Sequence, residues 1–290
     1  MKLSVIIPNY NGGDTLGLQL EALSRQQWSG PWEIIIADNG STDNSRSIVE
    51  RYKDRLPNLR IVDASDRRGA AHARNVGAGA ATGDALVFCD ADDEVAPGWL
   101  AAMGGALAQH DLVACRVDTG KLNALWLQQA FPTMQTHRLH RLSFLPDRCT
   151  AGAGTLGVKR LVHEAIGGFD ESWGFLEEVD YCLRIQNGGV KIHFVHDAVI
   201  HIRYRQTLPQ LYHQARRWAE YSVRLFKTYR PMGTYRWCWR WYAEQWARLL
   251  RQIPSLRSRS RHARWFWDLG WQVGRFQGII KYRVPPVTFP

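Results

Sequence analysis

Several things are scarce in this chain, and each scarcity closes off a class of protein. Its five cysteines, Cys89, Cys115, Cys149, Cys182 and Cys238, are widely scattered and form no C-x-x-C pair. That spacing argues against a zinc site or a disulfide framework and for a reducing compartment. Nowhere do about 18 apolar residues run uninterrupted, the least that a membrane-spanning helix needs. The opening apolar run, Leu3 to Ile7, is too short for the core of a secretory signal and stops at Pro8. Internal repeats and low-complexity segments are also missing. What the last part of the chain lacks is acid. Residues 203–290 hold 18 Lys/Arg against 3 Asp/Glu, whereas residues 1–202 hold 19 against 24. The same last part carries 8 of the 13 tryptophans. Regions so different in charge and aromatic content are expected to do different work.

With 45% hydrophobic residues among 290, there is enough for one large core, or for a domain with an appendage. Apolar runs at 3–8, 32–38, 59–63, 85–89 and 112–117 read as buried strands. Helices are expected between them over 14–27, 43–54, 69–81 and 97–108, with Asp14 and Asp43 as caps. This alternation predicts an α/β fold, a mostly parallel sheet flanked by helices, with ligands beyond the carboxyl ends of the strands. Three polar clusters fall at those ends: Asn9–Asn11, Asp38–Asp43 and Asp90–Asp93. Residues 121–148 show no clear pattern and read as a surface insertion or an acceptor-side loop. Beyond them come a Gly-rich strand at 152–159, an acidic helix from Glu177, and strands at 191–195 and 198–202. A long amphipathic helix over 208–226 follows, with Leu211, Ala215, Trp218, Ser222 and Phe226 at spacings of three and four.

The polar clusters carry recognisable chemistry. Asp90, Asp92, Asp93 and Glu94 crowd the end of a buried strand. Acids so placed repel one another, and either a solvated turn or a divalent cation with oxygen ligands relieves them. Arg67, Arg68 and Arg74 are either cations for a diphosphate or a solvated basic helix face. Glu177 and Glu178 suit the positive end of a helix, and a carboxylate beside a hydroxyl can act as general base.

Four motifs in register add a resemblance. S-V-I-I-P-N-Y-N-G, A-D-N-G-S-T-D, R-R-G-A-A-H-A-R-N-V-G and D-A-D-D look like the amino half of family-2 glycosyltransferases with the GT-A (Rossmann-like) fold. G-G-F-D-E at 167–171 and F-L-E-E-V-D-Y-C-L-R at 175–184 resemble the family's acceptor half. The resemblance implies a catalytic domain over 1–205, with a nucleotide-sugar half at about 1–118 and an acceptor half at about 119–205. It implies metal-dependent, inverting transfer from a nucleotide diphosphate donor, UDP-linked by preference. The acceptor would be a hydroxyl of a glycan or lipid-linked glycan, in cell-surface polysaccharide or glycolipid synthesis. Pro8, Asn11, Asp38, Asn39, Ser41, Arg68, Arg74, Asp90 and Ala91 would then hold the donor. Asp90, Asp92 and His201 would hold Mn²⁺ or Mg²⁺, with His196 as competitor for the last place. Glu178 or Glu177 would be the base; the family's usual Asp is one methylene shorter. Asp180, Arg217 and Trp218 fall on the acceptor or diphosphate side, the last two in Q-A-R-R-W, similar to the Q-x-x-R-W of polymerising members.

Residues 206–290 read as a basic, Trp-rich helical extension. Tyr235, Trp239, Tyr242, Trp246, Leu249 and Ile253 form one apolar stripe; Phe266, Leu269, Val273, Phe276 and Ile280 form another. Arginine between such stripes suits a helix in the interface of an anionic membrane, met through 230–290. The location expected is cytoplasmic, peripheral on the inner face of the cell membrane. Packing of both stripes on protein is the alternative, and nucleic acid fits least, since no nucleic-acid fold accompanies the charge. Two other functions stay open. A sugar-nucleotide-forming nucleotidyltransferase is disfavoured by the loop N-Y-N-G-G-D, which has no Lys or Arg. A non-catalytic membrane or nucleic-acid adaptor leaves the acid clusters without purpose.

Overall fold

Alternate residues of the central strands feed two separate cores, which is what fixes the strand ends in space. The computed structural model describes residues 1–131, 133, 135–230 and 239–285. Its strands begin with β1 (Leu3–Asn9), β2 (Trp32–Asp38), β3 (Leu59–Asp63), β4 (Ala85–Phe88), β5 (Glu94–Val95) and β6 (Leu112–Asp118). A separate two-stranded sheet, β7 (His140–Leu142) and β8 (Leu145–Thr150), precedes β9 (Leu156–Lys159) and β10 (Ile192–His201). Val5, Ile7, Ile34, Ile36 and Val87 enter one core; Ile6, Ile35, Leu86 and Phe88 enter the other. A strand buried on both faces must be apolar throughout, as these are.

The helices are α1 (Leu16–Ser24), α2 (Ser45–Tyr52), α3 (Ala70–Ala80), α4 (Trp99–Gln109) and α5 (Leu125–Ala130). Then come α6 (Arg160–Ala165), α7 (Glu177–Asn187), α8 (Leu208–Tyr229), α9 (Trp239–Arg251) and α10 (Arg259–Tyr282). The main sheet has the order β3-β2-β1-β4-β9-β6-β10-β5. Strands β1 to β4 are mutually parallel, and β6 is parallel to β10. Strand β9 runs antiparallel to both β4 and β6, and β5 antiparallel to β10, so the sheet is mixed.

Three local expectations are corrected. Helix α1 starts at Leu16 with Thr15 as N-cap, so Asp14 does not cap it. The Gly-rich stretch is strand only from Leu156, because Ala153–Thr155 winds into a 3₁₀ turn. The two strands expected at 191–202 are one, β10, whose register shifts between Val195 and Val199.

The chain divides into two compact units. The first comprises Met1–Leu122, Thr133–His140 and Arg148–Arg203. The second takes two short stretches, 123–132 and 141–147, and the chain from Tyr204 onward. The main sheet makes up the first. In the second, α10 lies against α8 through Gly270, Gly274 and Gly278. A Cβ at these positions would stand 2.4, 2.0 and 2.8 Å from the carbonyl oxygens of Tyr212, Arg216 and Glu220. Leu127, Ala130, Leu211 and Ala263 form this unit's small core. Tyr235 of the expected stripe lies outside the described residues. Among those described, no helix is long and apolar enough to cross a membrane.

Candidate active site

Because β1 pairs with β2 in parallel, Asn9 stands level with Asp38 and the two following loops start side by side. Asp38 is wholly buried. Its Oδ1 accepts from the Ser41 N–H at 3.2 Å and Asn9 Nδ2 at 3.4 Å, and its Oδ2 from Arg46 Nε at 2.9 Å. Burial pushes this carboxyl up, but the hydrogen bonds from Ser41, Arg46 and Asn9 prevail and hold it below the usual carboxylate range. Ser41 Oγ accepts from Asn9 Nδ2 at 3.0 Å and from the Asn11 N–H at 2.9 Å. Asn11 Oδ1 in turn accepts from the Thr42 N–H at 2.8 Å. The two loops are thereby laced together. Asn9 Oδ1 is buried with no protein partner, close against Gly12 and hence near Ala91. Pro8 is the penultimate residue of β1.

Asn39 fastens the next loop instead of facing outward. It donates through Nδ2 to the carbonyls of Ala64 and Arg67 at 2.5 and 2.7 Å, and accepts from the Gly69 N–H at 2.9 Å. Gly69, at φ 142°, has a backbone conformation that side chains disfavour, and it leads directly into α3. Arg68 donates to the Asn39 carbonyl at 2.8 Å and lies 4.4 Å over the Tyr10 ring.

Helix α3 delivers Arg74, which is 4% exposed. Its Nη2 meets Asp90 Oδ1 at 2.8 Å, and its Nη1 meets Glu177 Oε1 at 2.9 Å. A buried guanidinium is costly unless acids pair with it, and here two do. One side chain therefore joins the end of β4 to the first turn of α7. Gly154 completes this contact, because a Cβ there would stand 2.8 Å from Asp90 Oδ2. Glu178 follows Glu177, half-buried among charges. Burial, then the charge of Glu177, push its carboxyl up to about 8; Asp90 adds to the rise and Arg74 opposes it.

Asp90, Asp92 and Asp93 share one tight turn. Asp93 is buried, and burial followed by the charges of Asp90 and Asp92 pushes its carboxyl well up. The Arg203 N–H donates to Asp93 Oδ1 at 3.0 Å, and Arg203 Nε to the Asp92 carbonyl at 3.2 Å. Among the described residues, no group of three His, Cys, Asp or Glu stands close enough to hold a metal alone. Asp90 and Asp92 nevertheless fit a hard divalent cation that takes one or two carboxylates and fills its shell with water and phosphate oxygens. His201 ends β10 opposite Asp118 and Glu94. Its Nδ1 is 2.6 Å from Asp118 Oδ2, a pairing that orients a histidine and leaves Nε2 to a ligand. His196 is exposed beside Asp197.

Other expected residues have structural partners. Asp180 accepts from Arg184 Nε at 2.7 Å, and Arg184 also donates to the carbonyls of Ile166 and Gly168. That pair braces the turn before α7. Arg67 pairs with Glu171 at 2.6 Å. Arg217 and Trp218 belong to the second unit, where Arg217 approaches Glu220 at 3.7 Å and Trp218 meets the Trp267 ring edge-on at 5.6 Å. Sequence reasoning missed Asn9, Arg46, His72 and Glu171. His72 sits between Asp66 and Glu171, at 2.8 and 3.0 Å, and Asn75 Nδ2 also donates to Glu171 at 2.9 Å. Asn9, His72 and Glu171 carried a signal, each lying inside a quoted motif, whereas Arg46 lies outside all of them. A small cavity of about 70 Å³ lies against the start of α3, lined by Arg68, His72, Glu171, Trp173 and Glu177 among others. The larger open groove at Trp28 and Trp32 lies at the other end of β2, away from these residues.

Comparison with known proteins identifies the family and the fold. The profile described as "Glycosyl transferase family 2" matches residues 4–165. The uncharacterized glycosyltransferase YibD of Escherichia coli K12 is 42% identical over 168 residues, covering 56% of this chain and 46% of YibD. The chain thus spans less than half the length of that relative. Among solved structures, the mannosyltransferase PcManGT of Pyrobaculum calidifontis, in complex with GDP-Man and Mn²⁺, aligns with a TM-score of 0.63 at 20% identity. That alignment covers 97% of this chain and 87% of PcManGT. Residues 1–349 of Staphylococcus aureus TarS, in complex with UDP-GlcNAc, align at 0.59 and 18% identity, covering 98% and 92%. These likenesses establish the fold, a mixed GT-A sheet flanked by helices with further helices at the C-terminal end.

Proposed function

Because the chain belongs to glycosyl transferase family 2, we propose that it moves a sugar from a nucleotide diphosphate donor to an acceptor hydroxyl. One observation carries this reading. Arg74 draws the strand-end acid Asp90 and the helix-start acid Glu177 to a single point, with Glu178 one residue away. The donor, UDP-linked by preference, would lie across the ends of β1, β2 and β4. The orphaned Asn9 Oδ1 offers an acceptor there for base or ribose groups, and Asp38 would reach them only if Ser41 or Arg46 gave way.

Glu177 is committed to Arg74, which favours Glu178 as the base. A carboxyl whose pKa lies near 8 is a competent proton acceptor at mildly alkaline pH. Glu178 takes the proton of the acceptor hydroxyl as its oxygen bonds to the anomeric carbon. The bond from that carbon to the diphosphate oxygen breaks, and the configuration inverts. Asp90 and Asp92 are the residues that would hold Mn²⁺ or Mg²⁺, with water and phosphate oxygens completing its shell, and His201 would join them only if its side chain moved toward them. Such an ion supplies charge neutralisation for the departing diphosphate. The same reading includes a glycan or lipid-linked acceptor at an anionic membrane surface, with residues 230–290 as the region that meets it.

The test is a panel of nucleotide sugars, UDP-GlcNAc and GDP-Man included, given to the full chain with and without Mn²⁺. Melting shifts identify the donor, and release of the nucleoside diphosphate with a glycan acceptor measures transfer. A nucleotide sugar that binds, with its release abolished in Glu178→Gln, supports the reading. Unchanged transfer in that variant overturns the assignment of the base, and no binding of any nucleotide sugar overturns the whole.

A further inference from the structure

The second unit carries apolar side chains on its outside as well as its inside. Ten large apolar side chains are exposed among the described residues; six belong to this unit, and five of those, Trp239, Leu250, Ile253, Phe276 and Ile280, lie on α9, the turn after it and α10. At 3.6 residues per turn, Trp239, Trp246, Leu250 and Ile253 fall on one line along α9 and the turn after it. Trp239 is 58% exposed, Leu250 61% and Ile253 48%. This is not the stripe expected from the sequence, because Tyr242 and Leu249 turn inward. Arg240 and Arg251 lie along one flank of the exposed line. The Arg275 guanidinium lies 5.1 Å over the Trp241 ring, which places the start of α9 beside the turn of α10 that bears Phe276. Helix α10 gives its glycine face to α8, so Val273, Phe276 and Ile280 line a different face of it.

We infer that this line of α9 seats in the headgroup–acyl boundary of an anionic membrane. Tryptophan with aliphatic neighbours and flanking arginines is the composition that such a boundary takes up. The choice of a membrane over a protein groove rests on charge. Residues 203–290 hold 18 Lys/Arg against 3 Asp/Glu, an excess matched by a surface of uniformly negative headgroups. This seating identifies the face used by the extension and does not depend on the transfer chemistry.

The full chain is sedimented with phosphatidylcholine vesicles and with vesicles in which about one third of the lipid is phosphatidylglycerol. Binding to the anionic vesicles alone is expected, weakening at high salt. The combined variant Trp239→Ser, Leu250→Ser, Ile253→Ser is expected to bind about tenfold or more weakly with an unchanged melting temperature. Should that variant fold poorly, Leu250→Ser and Ile253→Ser alone must each weaken binding. No vesicle binding by the parent chain overturns the inference. So does self-association at this line, abolished by the variant, without vesicle binding. Glu178→Gln protein must bind vesicles like the parent, which separates failure here from failure of the transferase reading.

Discussion

At Arg74, two acids 16 and 103 residues away in sequence become neighbours. Truncating it to Met leaves the buried Glu177 without a counter-charge and the half-buried Asp90 unpaired, a loss of about 3 kcal/mol. Chemical unfolding of Arg74→Met checks this, and Arg74→Lys is expected to recover only part, since one ammonium does not reproduce a two-pronged fork. Glu178 works in the opposite sense. Its folded pKa lies near 8, above its ordinary 4.5, so the folded state holds an extra proton between those values. Stability contributed by the neutral acid is complete below about pH 4.5 and is lost as pH rises through about 8. Glu178→Gln is therefore expected to melt higher than the parent above pH 8, with no difference near pH 4.5, while transfer falls about 100-fold or more. In the parent, kcat/KM is expected to rise with pH to a plateau above about 8, as a pH–rate profile would record. Which acid faces which cation was only half legible in the sequence. The Asp180–Arg184 pair sits four residues apart on one helix and was there to be read. The Asp38–Arg46 pair spans a loop whose path no spacing rule gives.

Among elements, the parallel strands and α3 stood out in the sequence because period and composition agreed. Strand β9 was harder. Its position between β4 and β6, running against both, comes from long-range pairing that a four-residue stretch, Leu-Gly-Val-Lys, does not encode. The region 121–148 was illegible for a related reason, as part of it belongs to the second unit, whose core forms from distant segments. The glycine seam was in plain view at spacing four and went unread, because small residues at that interval mean close helices only once a partner helix is known. Gly274→Ala drives a methyl into the Arg216 carbonyl and is expected to cost about 1–3 kcal/mol, measured as a lowered melting temperature. Gly105 on α4 makes the matching control. A Cβ there meets nothing within 4 Å, so Gly105→Ala is expected to stabilise by about 0.5–1 kcal/mol.

For the whole molecule, charge divides as the sheet and the extension do. The acid-rich part holds the candidate site, and the part with 18 Lys/Arg to 3 Asp/Glu holds the outward apolar line. Since Arg74 already neutralises Asp90 in the absence of any ion, chelation by EDTA is expected to abolish transfer yet leave the melting temperature nearly unchanged. A large drop in melting temperature would make the cation structural. In the extension, three missing side chains let helices of 22 and 24 residues lie backbone upon backbone. Rods in such close contact neither roll nor slide past each other without first lifting apart. Whatever surface α8 and α10 meet, they meet it as one stiff pair.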